Sequence, residues 1–143
     1  MKKVLFITVL AVVAIVLGCG AGGGAKGTVE KLFKAVQKGD ADTLSNYIDW
    51  KGIYESIPEE YRGEAKFEDW EKEARDGMKK EIKPEEGFEY EVLSAEEKGD
   101  TATVKVKIKE NKDAKWEERT IPLKKIDGKW KITMESFKEM GGE

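Results

Sequence analysis

The chain has 143 residues with 26 basic and 29 acidic side chains, a formal charge of −3, no histidine and one cysteine. An acidic balance without a basic block argues against nucleic acid and against docking on anionic lipid. Without histidine the chain lacks the commonest metal ligand and general base, and a lone cysteine cannot close an internal disulfide.

The N-terminus carries the strongest local signal. Met1-Lys2-Lys3 leads into an apolar run from Val4 to Leu17 that ends in Val16-Leu17-Gly18-Cys19. A short basic start, an apolar stretch and small residues at a cut describe a secretory leader. The stretch resembles the lipobox of bacterial lipoproteins, which implies a signal peptide over 1–18, diacylglyceryl attachment at the Cys19 thiol and Cys19 as the first mature residue. Two alternatives are a secreted protein cut elsewhere and an uncleaved anchor. The latter reaches the about 20 apolar residues of a spanning helix only by counting glycines after Leu17. Loss of Lys2 and Lys3 leaves 24 basic against 29 acidic residues, a mature charge of −5. Two acyl chains hold a protein stably where one does so marginally, so the expected partner is a membrane, reached through Cys19.

Residues 19–27 read as lipidated cysteine plus tether, since five glycines fall between Gly20 and Gly27. Such a tether typically spans roughly 16 Å. Residues 28–140 have the size of one domain with one core. Val29, Leu32, Phe33 and Val36 lie at helical spacing, with Thr28 as the expected N-cap and Gly39 as the stop. Asp40 caps a second helix whose apolar positions are Ala41, Leu44, Tyr47 and Ile48. Trp50 to Arg62 reads as a short helix running into a loop. A longer helix follows over about residues 66–82, where Phe67, Trp70, Ala74, Met78 and Ile82 share one face. Gly77 in that helix marks an expected bend or close approach to the sheet. Pro84 and Gly87 end it.

Beyond Gly87 the period becomes two. Phe88, Tyr90 and Val92 alternate with glutamates, and Ala102, Val104, Val106 and Ile108 alternate with Thr103 and lysines. Turns at Lys98-Gly99-Asp100, Asn111-Lys112-Asp113 and Ile126-Asp127-Gly128 predict a four-stranded antiparallel meander. Trp116 cannot share a face with Ile121 and Leu123 under strict alternation, which predicts a bulge near Glu117-Glu118. Pro122 belongs at an edge or beside that irregularity. Trp130, Ile132 and Met134 predict the last strand.

A helix, Gly-Asp corner and second helix over Thr28–Ile48, a third helix, and strands ending in Lys124-Lys125-Ile126-Asp127-Gly128-Lys129-Trp130-Lys131-Ile132 resemble the nuclear transport factor 2-like, or cystatin-like, α+β cone fold. More narrowly they are similar to lumazine-binding-like bacterial lipoprotein domains of unknown function. The chain departs from larger members of that superfamily in lacking a clear pair of strands before the third helix. The resemblance implies N-terminal helices packed on a curved four-stranded antiparallel meander, with a conical pocket at its open end. Such pockets serve isomerases, dehydratases, cyclases and non-catalytic binders, and fold alone does not choose among them.

Trp50, Tyr54, Tyr47 and Trp116 are the candidate pocket residues, because aromatic side chains outside a regular apolar face can line a ligand site. Asp49 and Glu55 are carboxylates in aromatic company, and Tyr47, Tyr54 and Tyr61 the available hydroxyl donors. Helix capping, solvent exposure and half-buried packing account for these residues more simply, so no catalytic residue, metal site or cofactor is assigned. The expectation is a lipid-anchored binding or interaction module of the cell envelope, facing the extracytoplasmic side. Its partner is a small apolar ligand or an envelope protein; a small isomerase- or cyclase-like enzyme and a dimerising structural role are the alternatives. Lys and Glu together supply 44 residues while Asn and Gln supply three, a composition pointing to a thermophilic source.

Overall fold

A computed structural model describes residues 24–141. The expected leader over 1–18, Cys19 and the tether up to Gly23 lie outside the described residues. Six helices and four strands occur among the described residues, the sheet running in the order β1-β2-β3-β4. This is the α+β arrangement expected, with helices first and an open antiparallel meander after them. No helix among the described residues is long and apolar enough to cross a membrane.

Helix α1 spans Ala25–Lys38 and presents Val29, Leu32 and Phe33 to the core. It starts three residues before the expected Thr28 cap, so the last residues assigned to the tether are its first turn. The Ala25 N–H donates to the Glu97 carboxylate at 2.7 Å, a partner 72 residues away that no local pattern announces. Gly39 ends α1 in the left-handed conformation, φ 67°, and its N–H donates to the Val36 carbonyl at 3.1 Å. Asp40 then caps α2, Ala41–Asn46, by accepting the Thr43 N–H at 3.0 Å. Helices α3, Trp50–Ser56, and α4, Glu59–Arg62, occupy the stretch read as helix into loop. Helix α5, Phe67–Glu81, lays Trp70, Ala74 and Met78 half-buried against the core. Gly77 does not mark a close approach: a β-carbon there would meet nothing within 4 Å.

Strands β1, Glu89–Lys98, β2, Thr101–Lys109, and β3, Glu117–Ile126, pair in an uninterrupted order, and β4 covers only Lys129–Lys131. Along β2, Ala102, Val104, Val106 and Ile108 are buried beneath the helices while the intervening residues face outward. Asp127 and Gly128 both have positive φ, 52° and 76°, as a tight two-residue hairpin of primed type requires.

Two expectations are corrected here. The irregularity lies in β1, where the register shifts between Val92 and Ser94, and not near Glu117-Glu118, where β2 and β3 pair continuously. Trp116 precedes β3, so the phase conflict that suggested a bulge there never arises. Met134 begins helix α6, Met134–Gly141, instead of extending the last strand. Thr133 and Ser136 exchange bonds at its start, the Thr133 N–H donating to Ser136 Oγ at 2.9 Å and the Ser136 N–H to Thr133 Oγ1 at 3.4 Å. Because β4 reaches only Lys124–Ile126, Pro122 lies on a locally uncovered stretch of β3. Ser136 Oγ donates to the Pro122 carbonyl there, so α6 takes the place of the missing strand.

Candidate functional site

A cavity of about 750 Å³ opens between the inner face of the sheet and the surrounding helices. Val106, Ile108 and Ile121 form its floor, Leu32, Phe33 and Val36 of α1 one wall, and Met78 and Ile82 another. Phe137 and Met140 of α6 bound it near the opening. Helical spacing in α1 and strict alternation in β2 put these apolar side chains on facing surfaces.

Polar groups are confined to the rim, where Glu85, Glu86, Glu110, Asn111 and Arg119 line the cavity. Arg119 is held on all sides. Its guanidinium donates to Glu117 Oε2 at 2.6 Å, lies 3.8 Å from Glu110 and donates to the Met140 carbonyl. That last contact fastens the end of α6 to β3. The guanidinium is already matched by Glu110 and Glu117, so Glu85 and Glu86 leave the rim acidic. Among the described residues, the side chains that line the cavity inside the rim are aliphatic, aromatic or thioether. The arrangement suits displacement of water by an apolar molecule, with recognition left to shape and to the rim. Among the described residues no group of three or more carboxylate, histidine or cysteine side chains is placed to hold a metal ion.

The aromatic residues singled out from the sequence do not converge on this cavity. Trp50 is buried, donates its indole N–H to the Ser45 carbonyl at 2.9 Å, and meets Trp70 edge-on with centroids 6.2 Å apart. Tyr54 packs on Trp70 and Phe67 at 5.4 and 5.5 Å and donates its hydroxyl to the Ala65 carbonyl at 2.7 Å. These two therefore join α3 to α5, because the face of α3 that carries them is turned toward α5. Tyr47 lies in a separate depression beside Arg75 and Lys131. Trp116 lies in the loop before β3, 47 % exposed, and does not line the cavity.

The remaining polar candidates do not line the cavity. Asp49 caps α3 by accepting the Gly52 N–H at 3.0 Å, Glu55 is exposed 4.0 Å from Lys51, and Tyr61 is 77 % exposed. Sequence reasoning missed Arg119, Phe137 and Met140 as cavity residues. The three-residue spacing of Phe137 and Met140 after a Thr133 cap was the available signal for α6.

The solved structures similar to this chain include three natural proteins. A candidate NTF2-like transpeptidase from Campylobacter jejuni is 18% identical with a TM-score of 0.48, over 78% of this chain and 99% of that one. An NTF2-like protein of unknown function from Cytophaga hutchinsonii is 12% identical with a TM-score of 0.44, over 80% of this chain and 88% of its own. An NTF-2 like protein of unknown function from Shewanella oneidensis is 15% identical with a TM-score of 0.42, over 73% and 88%. No curated protein matches the chain. The family model described as a domain of unknown function, DUF4878, matches residues 17–133, most of the length, and the chain belongs to that family.

Proposed function

We propose that the domain is a non-catalytic binding module that encloses an apolar molecule, or the apolar end of an amphiphile, and is held at an envelope membrane by acyl chains on Cys19. One observation carries the binding reading: a cavity of about 750 Å³ whose walls are aliphatic and aromatic and whose polar groups stand only at the rim. That volume lies within the range of about 300–1,000 Å³ usual for small-molecule sites. Anchoring rests on the sequence before the domain, where the lone cysteine of the chain follows an apolar leader.

Native mass spectrometry of the full chain, released from bacterial membranes in mild detergent, tests both parts. The expected result is a discrete extra mass lost on denaturation and a diacylglyceryl adduct retained on Cys19. Ile82→Trp, which fills the cavity from its half-buried wall, removes the first mass and leaves the second. A bare chain in every preparation overturns the binding reading, and an unmodified Cys19 overturns the anchoring one.

A further inference from the structure

The fold gathers cations that the sequence scatters. Lys31 of α1, Arg75 of α5, Lys125 of β3 and Lys129 and Lys131 of β4 line one depression of about 780 Å³, facing a single carboxylate, Glu97. In a chain of net charge −3 this is a local reversal of sign. Glu97 is already occupied by the Ala25 N–H at 2.7 Å, and Arg75 is paired with Glu71 at 2.7 Å.

The lysines are not matched in the same way. Among the described residues, Lys31, Lys125, Lys129 and Lys131 make no ion pair within 4.0 Å. Lys125 sits 5.3 Å from the Trp130 ring, and Lys131 donates to the Asn46 carbonyl. Burial, together with repulsion from Lys129 and Arg75, holds the Lys131 ammonium below the usual lysine range against the attraction of Asp49 and Asp127. A cluster of like charges with so few counter-charges is a site for external anions.

Gly24 lines the same depression. Cys19 lies five residues before it, and five residues reach at most about 17 Å fully extended. The basic face is therefore the part of the domain kept nearest to whatever carries the acyl chains. The register adds a direction. Lys124 pairs with Thr101 and Glu117 with Ile108, so the β3–β4 hairpin and the loop after Ile108 stand at opposite ends of the sheet. The lysines of the hairpin occupy one end, and Glu110 and Asn111 of the cavity rim occupy the other.

We infer that the face formed by Lys31, Arg75, Lys125, Lys129 and Lys131 docks on the anionic phospholipid headgroups of the anchoring membrane and turns the acidic mouth of the cavity away from the bilayer. The inference rests on the anchoring reading for its geometry. Acyl chains supply attachment, and the basic face supplies orientation, since Lys and Arg side chains near an anionic surface are attracted to it within a screening length. The acidic rim is repelled by the same surface, so both ends favour one pose.

Lysine acetylation footprinting of the full chain in vesicles tests this. The comparison is phosphatidylcholine alone against phosphatidylcholine with about one-third phosphatidylglycerol. On the anionic vesicles, modification of Lys31, Lys125, Lys129 and Lys131 is expected to slow by about threefold or more, an effect abolished by salt. Lys112, in the loop at the acidic end, should not change. The exposed pair Lys125→Glu and Lys129→Glu should remove the protection of Lys31 and Lys131. Equal modification in both vesicles overturns the proposal, as does the same protection by inorganic phosphate without vesicles, which would assign the site to a soluble anion. The mass of Cys19 and retention on neutral vesicles read anchoring separately, so a failed anchor and a failed basic face give different results.

Discussion

Ile48 and Ile132 pair through an isolated parallel bridge that joins the helical layer to the end of the sheet. The Asp49 N–H donates to the Ile132 carbonyl at 2.8 Å and the Ile132 N–H to the Tyr47 carbonyl at 2.6 Å. Both isoleucines also line the cavity, so this junction closes one of its walls.

Ile132→Ala should therefore act on stability and binding together. The side chain is 2 % exposed, and truncating a buried isoleucine costs about 2–5 kcal/mol, depending on how far the site collapses. Urea unfolding should show a lower midpoint with an unchanged slope. Survival of the wild-type midpoint would mean that the wall is not packed as described.

Two glycines in helical context should respond in opposite directions to the same change. At Gly39, φ is 67°, and a β-carbon would stand 2.5 Å from the Pro84 nitrogen and 2.7 Å from the Lys83 carbonyl carbon. Left-handed strain alone costs about 1–2 kcal/mol for an alanine, and backbone on the other side cannot yield, so Gly39→Ala should lose more than about 2 kcal/mol. Gly77→Ala faces open space within a helix and should gain about 0.5–1 kcal/mol. Chemical denaturation of the two variants checks the pair, and equal effects would contradict the geometry.

Where periodicity decided the structure, the sequence was legible. Val29, Leu32 and Phe33 are buried at helical spacing, and the alternation along β2 is exact from Ala102 to Ile108. The failures have two causes, contacts made far along the chain and local side-chain bonds that override an apolar pattern. Ala25 becomes helical with its N–H on Glu97, which overrides the glycines around it. Met134 continues the apolar alternation of Trp130 and Ile132, yet the Thr133–Ser136 exchange turns the chain into α6. Val92 and Leu93, adjacent apolar residues, were the local trace of the bulge that Trp116 drew elsewhere. The site was the least legible part. Arg119, Phe137 and Met140 meet only because α6 folds back on β3, and the lysines of the basic face are dispersed from α1 to β4.

Asp40 should shape the acid limb of the stability curve. The Thr43 hydroxyl at 2.6 Å, helped by the Thr43 N–H at 3.0 Å, holds its carboxyl below the ordinary 3.8. A depressed folded value means that the unfolded chain binds the proton first. The contribution is therefore complete above the unfolded value and is lost as pH falls below 3.8 and through the folded one. Asp40→Asn keeps a capping acceptor without the charge. The difference in urea midpoint between wild type and variant should stay constant above about pH 5 and shrink below about pH 4. A difference independent of pH would show that the carboxylate charge contributes nothing to the cap.

Lys131 works in the opposite sense, at the alkaline end. Burial first, then Lys129 and Arg75, lowers its value from 10.5, with Asp49 and Asp127 opposing. The unfolded chain then holds this proton at pH values where the folded protein releases it. Stability must rise as pH climbs through the folded value and level off near 10.5. Lys131→Gln retains a donor for the Asn46 carbonyl and removes the titration, so the variant should lack this rise. Subtracting the two urea series cancels the other lysines and isolates the effect. Anions should act on the repulsive part of this penalty: phosphatidylglycerol vesicles placed against the basic face would offset Lys129 and Arg75 and reduce, without removing, the alkaline rise of the wild type. A rise that persists unchanged on those vesicles would separate the partly buried ammonium from the docking face.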